Sequence, residues 1–365
     1  MEIGARVAEA RAERGITQAQ LAASIGVDRT ALAKIESGSR RVTALELVSI
    51  ARELGHRVEW FVDEAPPALA SYRGAGPGVA VQAIDAQLDS LVRDAEFVTS
   101  RCPELVTGQP EPLPHPTTAD EAEELAASAR RLLGLAPTQP AHEFSRLAAG
   151  VGLLVFAVDL GEGADAGTVL LERGGVALVN GHWRVGRRRL AAAHELGHYL
   201  LADQFSLDWR VAASEAEGIE ARLDGFARAL LLPGDDLRAR WEEWLNVPDE
   251  GWRDAAVRAA SHYGVDMATL ARRLVEVGLV DGERGRSIRQ VHTKQADIVE
   301  KNLVVRDELA PVALPRPYEQ AVLKLYRHEV VTADRAVGLL RGTFDHDALP
   351  DLPPAPEAGI WEVTS

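Results

Sequence analysis

His194-Glu195-Leu196-Gly197-His198 is the stretch from which the rest of this 365-residue chain is best read. Two histidines at i and i+4 stand one above the other on a helix face, so both imidazoles can reach one metal ion. The glutamate beside the first is turned about 100° around the helix axis, which aims it at a water activated by that ion rather than at the ion itself. The flanks are helical: Leu190, Ala193, Gly197 and Leu201 form a small-and-apolar stripe, and nothing between Arg187 and Ala202 breaks the spacing. The five-residue pattern also arises by chance, so its meaning depends on what surrounds it.

Upstream, Leu153 to Val158 is an apolar run, and Thr168–Glu172 and Val176–Asn180 are separated by the turn signal Arg173-Gly174-Gly175, which predicts a hairpin. Strands followed directly by the histidine helix are the order expected where a sheet edge lines a cleft and a peptide adds as an extra strand. Downstream, a catalytic zinc needs a third protein ligand and one position open to water. Glu217, Glu220 and Asp224 precede Phe226-Ala227-Arg228-Ala229-Leu230-Leu231-Leu232-Pro233, a helix closed by proline. Glu220 and Asp224 share one face, with Glu220 placed as the ligand and Asp224 one turn on, where it can hydrogen-bond a liganding histidine and fix its tautomer. Without the upstream motif the same acids would read as an ordinary solvated helix face.

From Ile3 to about Glu64 the chain reads as short helices. Ile3, Val7 and Ala10 repeat at helical spacing, Thr17 caps a helix over Gln18–Ile25, Gly26 supplies a tight turn, and Asp28 caps a third helix to Glu36, ended by Ser37-Gly38. Two helices joined through a short glycine turn form a helix-turn-helix. Leu32 and Ile35 belong to one face of the third helix, while Arg29, Thr30, Ala33 and Lys34 fall on another, with side chains suited to base edges and phosphates. On Ile16-Thr17-Gln18-Ala19-Gln20-Leu21-Ala22, Gly26-Val27 and Ile35-Glu36-Ser37-Gly38 the segment resembles the XRE, or phage-repressor-like, family. That resemblance implies that Gln18 touches a phosphate or base, that Arg29, Thr30 and Lys34 enter the major groove of a double-stranded operator, and that Arg40 and Arg41 meet the backbone. The segment's charges nearly cancel, so a tight operator complex calls for a homodimer. The competing reading is a helical protein-interaction module.

Residues 118–285 resemble the ImmA/IrrE metallopeptidases, on Val179-Asn180, Ala193-His194-Glu195-Leu196-Gly197-His198-Tyr199, Ile219-Glu220, Phe226-Ala227 and Leu231-Leu232-Pro233. The resemblance implies a thermolysin-like fold, Zn2+ held by His194, His198 and Glu220, and Glu195 as catalytic base. It also implies a regulatory protein as substrate, such as a helix-turn-helix repressor, or the chain itself. Asp224 stands where the family often has Asn. Tyr199, His262 and Tyr263 have the chemistry of oxyanion donors, without a reason to choose among them. Arg187, Arg188 and Arg189 could steer an acidic peptide, but a solvated basic cluster is the plainer reading. The second class of function is a non-proteolytic transcription factor or antitoxin-like regulator that uses the metallopeptidase fold as sensor or scaffold.

The fold class expected is mainly α with a small β-sheet (α+β): an all-helical helix-turn-helix domain over 1–64, a helical and proline-rich linker over 65–117, a zincin-like metallopeptidase domain over 118–285, and a helical C-terminal region with a disordered tail over 286–365. Within the linker, Val79 to Ser100 has helical spacing and suits a spacer or dimer arm. Thr107–Pro116, with four prolines, reads as a flexible joint where self-cleavage could occur. Thr118 and Glu121 form a capping box. Ala255–Tyr263, Gly264-Val265 and Asp266–Val275 form a second helix-turn-helix-like pair, read as packing, and Tyr318–Tyr326 is amphipathic. A single cysteine, Cys102, excludes a disulfide framework and a Cys-rich zinc site and suits a reducing cytoplasm. No apolar run approaches the ~18 residues of a membrane span, so no membrane partner is expected. A net charge of −15 argues against a surface that clings everywhere to nucleic acid, while leaving room for one DNA-reading face.

Overall fold

A computed structural model describes residues 3–14, 16–54, 58–62, 70–73, 79–106, 108–162, 165–202 and 213–352. The chain divides into two compact units, Met1–Ala68 and Leu69–Ser365. The fold class is the expected one.

The first unit consists of helices α1 (Ile3–Glu13), α2 (Gln18–Ile25), α3 (Arg29–Glu36), α4 (Ala44–Leu54) and α5 (Val58–Val62). Thr17 caps α2 reciprocally with Gln20: its hydroxyl accepts from the Gln20 amide at 3.3 Å, and the Gln20 side-chain oxygen accepts from the Thr17 amide at 2.8 Å. Gly26 closes α2 in the left-handed region, at φ 73°, and so lets α3 start three residues later. Val7, Leu21, Leu32, Ile50 and Phe61 fill the core. The approach of α1 to α3 requires glycine, since a Cβ on Gly4 would lie 2.0 Å from the Ile35 carbonyl oxygen.

The second unit is built on a four-stranded sheet of β1 (Ala70–Arg73), β2 (Leu153–Val158), β3 (Ala166–Leu170) and β4 (Gly175–Asn180), in the order β1-β3-β4-β2. β2 runs parallel to β4, β3 pairs antiparallel with β4 as the predicted hairpin, and β1 pairs antiparallel with β3. The hairpin's first strand starts and ends about two residues earlier than its sequence pattern predicts. Its turn takes up Leu171 to Gly174, closed by the Leu171 amide donating to the Gly174 carbonyl at 2.9 Å. The helices are α6 (Val79–Arg101), α7 (Ala119–Leu132), α8 (Phe144–Gly150), α9 (Val185–Leu201), α10 (Ala213–Leu231), α11 (Gly234–Leu245), α12 (Trp252–Tyr263), α13 (Met267–Glu276), α14 (Gly282–Arg289), α15 (Gln295–Glu300), α16 (Arg316–Arg327) and α17 (Ala333–Leu339).

Alternation along the strands sends side chains to two separate cores. Val155, Ala157, Ala177 and Val179 join the core of α7 to α13, which holds α9 and α10. Leu154, Phe156, Val176 and Leu178 join a second core with α6, α16 and α17. A sheet covered on both faces explains why Leu153 to Val158 is apolar throughout rather than alternating.

Two expectations change here, and the helical C-terminal region gains a role. The helix over 79–101 is not a spacer: Leu88, Leu91, Val92 and Val98 are buried against the sheet. The C-terminal region completes that same core, with Tyr318 edge-on to Phe156 at 5.1 Å between ring centres. The proline-rich joint is a strap: the Leu113 amide donates to the Leu200 carbonyl at 2.9 Å, and the Gln109 side-chain amide donates to the Tyr199 carbonyl at 3.1 Å. Both acceptors are last-turn carbonyls of α9, where the i+4 amides run out; that of Tyr199 also accepts from the Ala202 amide at 3.2 Å. Thr107 and the tail beyond residue 352 lie outside the described residues. The pair α12–α13 is packing, as read, with Ala255, Ala259, Tyr263, Leu270 and Leu274 in the core.

Candidate metal centre

α9 is buried along nearly its whole length, and what brings α10 against it is Gly197. A Cβ there would meet Leu223 at 2.8 Å and Phe226 at 3.0 Å, so only glycine admits the α10 side chains this close. At the other end, a Cβ on Gly186 would lie 2.2 Å from the Asp266 amide nitrogen, where the α12–α13 turn crosses the start of α9. The glycine inside the motif therefore sets the helix spacing that delivers Glu220 to the histidines.

At that crossing His194 Nε2 lies 3.1 Å from His198 Nε2 and 3.0 Å from Glu220 Oε2, and His198 Nε2 lies 3.4 Å from Glu220 Oε1. The three side chains are the one group among the described residues whose ligand atoms could share an ion. Their spacing fits a tetrahedral ion, whose ligands at about 2.1 Å stand roughly 3.4 Å apart. His194 Nδ1 is 3.0 Å from Asp224 Oδ1. With Nδ1–H donating to the carboxylate, Nε2 carries a lone pair directed at His198 and Glu220. A lone pair, a second imidazole nitrogen and a carboxylate converging this closely need a shared proton or a cation among them. Burial pushes the Glu220 carboxyl up, but the two imidazoles beside it outweigh that and hold the group well below the usual carboxylate range.

Glu195 is wholly buried. Its Oε2 accepts from the Thr168 hydroxyl on β3 at 2.7 Å, and its Oε1 has no hydrogen-bond partner among the described residues. Burial raises its pKa, against the pull of His198 and His194 and the Thr168 bond. A buried carboxylate oxygen without a partner is costly unless a water or substrate group meets it. Thr168 was missed in the sequence, where it is one polar residue in a strand and nothing marks its register against α9.

Of the three side chains with oxyanion-donor chemistry, the two tyrosines spend their hydroxyls elsewhere, and His262 Nε2 is buried without a hydrogen-bond partner among the described residues. The Tyr199 hydroxyl donates to the Val151 carbonyl at 2.8 Å, the Tyr263 hydroxyl to Asp236 at 2.7 Å, and His262 packs edge-on to Trp244 at 5.7 Å. Nor are the three arginines a solvated cluster. Arg187 pairs with Asp165 at 2.7 Å and stacks on Trp183, whereas Arg188 and Arg189 are buried and pair with Asp307 and Glu308. The last two hold the chain between α15 and α16 against the start of α9.

In the first unit Arg29, Thr30, Lys34 and Arg41 are exposed. Gln18 and Arg40 are not free in the same way. Gln18 donates to Glu36 at 2.7 Å, sharing it with Arg11 at 2.6 Å, and Arg40 pairs with Glu46 at 2.7 Å. The structure thus gathers the three residues of the metal group with Asp224 and Glu195 beside them, leaves four of the six DNA-side residues facing solvent, and binds the other two to neighbouring acids.

A helix-turn-helix joined in one chain to a fold with this site defines a DNA-binding regulator with a metallopeptidase-like domain. Comparison with known families agrees: residues 7–61 match the helix-turn-helix model, and residues 148–275 match that of the IrrE N-terminal-like domain. The chain is thus an XRE-type helix-turn-helix fused to an IrrE/ImmA-like peptidase domain. No curated protein matches it. Among the described residues no helix is long and apolar enough to cross a membrane.

Proposed function

We propose that the chain is a cytoplasmic transcriptional regulator whose second unit is a zinc-dependent endopeptidase acting on a regulatory protein. The observation that carries this reading is the convergence of His194, His198 and Glu220 beside a buried Glu195 with one carboxylate oxygen unpartnered. Zn2+, held by those three residues, would act as a Lewis acid on water and on the scissile carbonyl. The chain's own residues do the rest. Asp224 fixes the His194 tautomer through Nδ1. Thr168 holds one Glu195 oxygen, which leaves Oε1 to take a proton from water and return it to the departing amine. Burial of Glu195 makes it a stronger base than an exposed carboxylate, which suits that exchange. A pure scaffold or sensor would need the ligands but has no use for a buried glutamate oriented in this way.

In the first unit Arg29, Thr30 and Lys34 are proposed to enter the major groove of an operator bound by a homodimer, with Arg41 on the backbone. Gln18 and Arg40 would meet DNA only by exchanging or sharing their bonds to Glu36 and Glu46. The test is to incubate the zinc-loaded full chain with the products of neighbouring genes and identify new termini by mass spectrometry, with Glu195→Gln as control. Termini that form with the wild-type chain and not with the variant are expected. Identical termini, or none, with zinc bound in both would remove the enzyme reading and leave a metal-binding regulator.

A further inference from the structure

β3 carries the threonine that touches Glu195, so its outer edge is where an extended peptide would add as a strand beside the site. That edge is already taken. Ala70–Arg73, from the start of the second unit, pairs antiparallel with all of Ala166–Val169, in the register Ala70 to Val169, Ser71 to Thr168, Tyr72 to Gly167 and Arg73 to Ala166. Ser71 thus sits opposite the residue bonded to Glu195, and β1 also lies against α9. β4 covers the other side of β3, and β2 closes the far edge of the sheet. No second open edge beside Thr168 exists among the described strands.

We infer that β1 is a guard strand: this chain's own segment holds the peptide-binding edge of β3, and a substrate reaches the site by replacing it. The ligand class follows from the geometry. It is an extended peptide of at least four residues, running antiparallel to β3 and held by main-chain hydrogen bonds rather than by any one side chain. A four-residue strand is a short hold, so a competing peptide can displace it without unfolding the sheet behind it. The inference rests on the peptidase reading for its substrate, but not for its strand exchange.

The full chain carrying Glu195→Gln, which removes the proposed base, is compared with the same chain carrying Ser71→Pro and Tyr72→Pro in addition. Successive amides of a strand face opposite edges, so one of the two prolines removes a donor aimed at β3, and both rings fix φ at about −65°, away from the value of a paired antiparallel strand. Amide exchange over Ala166–Leu170 should quicken at least tenfold while α9 stays protected. A fluorescent peptide of residues 66–76 added to the zinc-loaded proteins should bind at least tenfold more tightly to the proline variant. A replacement of Ala70–Arg73 by Gly-Ser-Gly-Ser, keeping length, gives the same two readouts should proline disturb α9. Unchanged exchange in β3 together with equal peptide affinity overturns the guard strand. Because hydrolysis is absent from both readouts, failure of the peptidase reading shows separately, as missing Glu195-dependent termini in the wild-type chain.

Discussion

The α9–α10 pair and α3 are both helical sites read from short motifs, yet they are built in opposite ways. His194, Glu195 and His198 are buried at the centre of a helix crossing, and each is held by a partner from elsewhere in the chain. Arg29, Thr30 and Lys34 stand in solvent on a helix whose inner face, Leu32 and Ile35, does the packing. In the first region position and chemistry are coupled, because shifting one helix moves Glu220 away from the two histidines. In the second they are separable, because the exposed side chains can change while the core stays. The expected effects of substitution divide along that line.

The largest effect belongs to Glu195. Glu195→Gln keeps the shape and the Thr168 contact but removes the base, and should lower Glu195-dependent cleavage by about 10²- to 10⁴-fold with zinc content unchanged. His198→Ala should abolish cleavage and lose zinc as well, as read by metal analysis of the dialysed protein. If Glu195→Gln lost zinc equally, ligand and base would not be separate roles.

Next comes acid lability, which reaches the packing around α9 rather than the ligands. His142 lies 3.9 Å from Glu308, the partner of Arg189. Burial, with Arg189 and Arg306 adding to it, holds the imidazole at about 4, below its ordinary value of 6.5. The folded chain therefore favours neutral His142. This contribution is complete above pH 6.5, and is lost as pH falls from there through about 4, because the unfolded chain takes up the proton first. The shift corresponds to roughly 2–3 kcal/mol after allowance for partial exposure. His142→Gln should flatten the melting temperature between pH 7 and pH 4 relative to wild type. Parallel curves would assign the acid response to other groups.

Gly197→Ala tests the crossing itself. A methyl group pressed against Leu223 and Phe226 should cost about 1–3 kcal/mol of stability and loosen zinc, because Glu220 moves with α10. Asp224→Ala leaves the crossing intact and should weaken zinc about 10- to 100-fold with little change in melting temperature. Zinc competition and thermal unfolding on the two variants separate helix spacing from histidine orientation.

How much of this was legible in the sequence follows the same division between local and distant causes. Thr17, Gly26 and Thr118 were readable as caps because the partners of a cap lie three or four residues away, and the histidine pair is likewise a matter of one helical turn. Glu220 was reachable only through resemblance and the shared face with Asp224. The Thr168–Glu195 bond and the β1–β3 pairing depend on register between distant segments, which composition does not encode. Arg188 and Arg189 misled for a related reason. Three consecutive arginines look solvated until Asp307 and Glu308 arrive from more than a hundred residues away. The prolines of 109–116 pointed to looseness, but the amides that remained found the open carbonyls at the end of α9.

The smallest effects on the fold should come from α3, and they sharpen the contrast most. Arg29→Ala and Lys34→Ala remove exposed side chains with no packing role, so each should change stability by less than about 0.5 kcal/mol. Operator binding, measured against salt, should nevertheless weaken. A base contact would cost about 1–3 kcal/mol and relax sequence preference at one position. A phosphate contact would weaken all sequences alike and reduce the salt slope by about one. Arg11→Ala is the internal control: Arg11 reaches Glu36 and the Ile16 carbonyl at 3.0 Å, so its loss should destabilise the unit and free Gln18 and Glu36 to rearrange. If Arg29→Ala destabilised the unit as much as Arg11→Ala, the outer face of α3 would be structural, and the separation between reading and folding would fail.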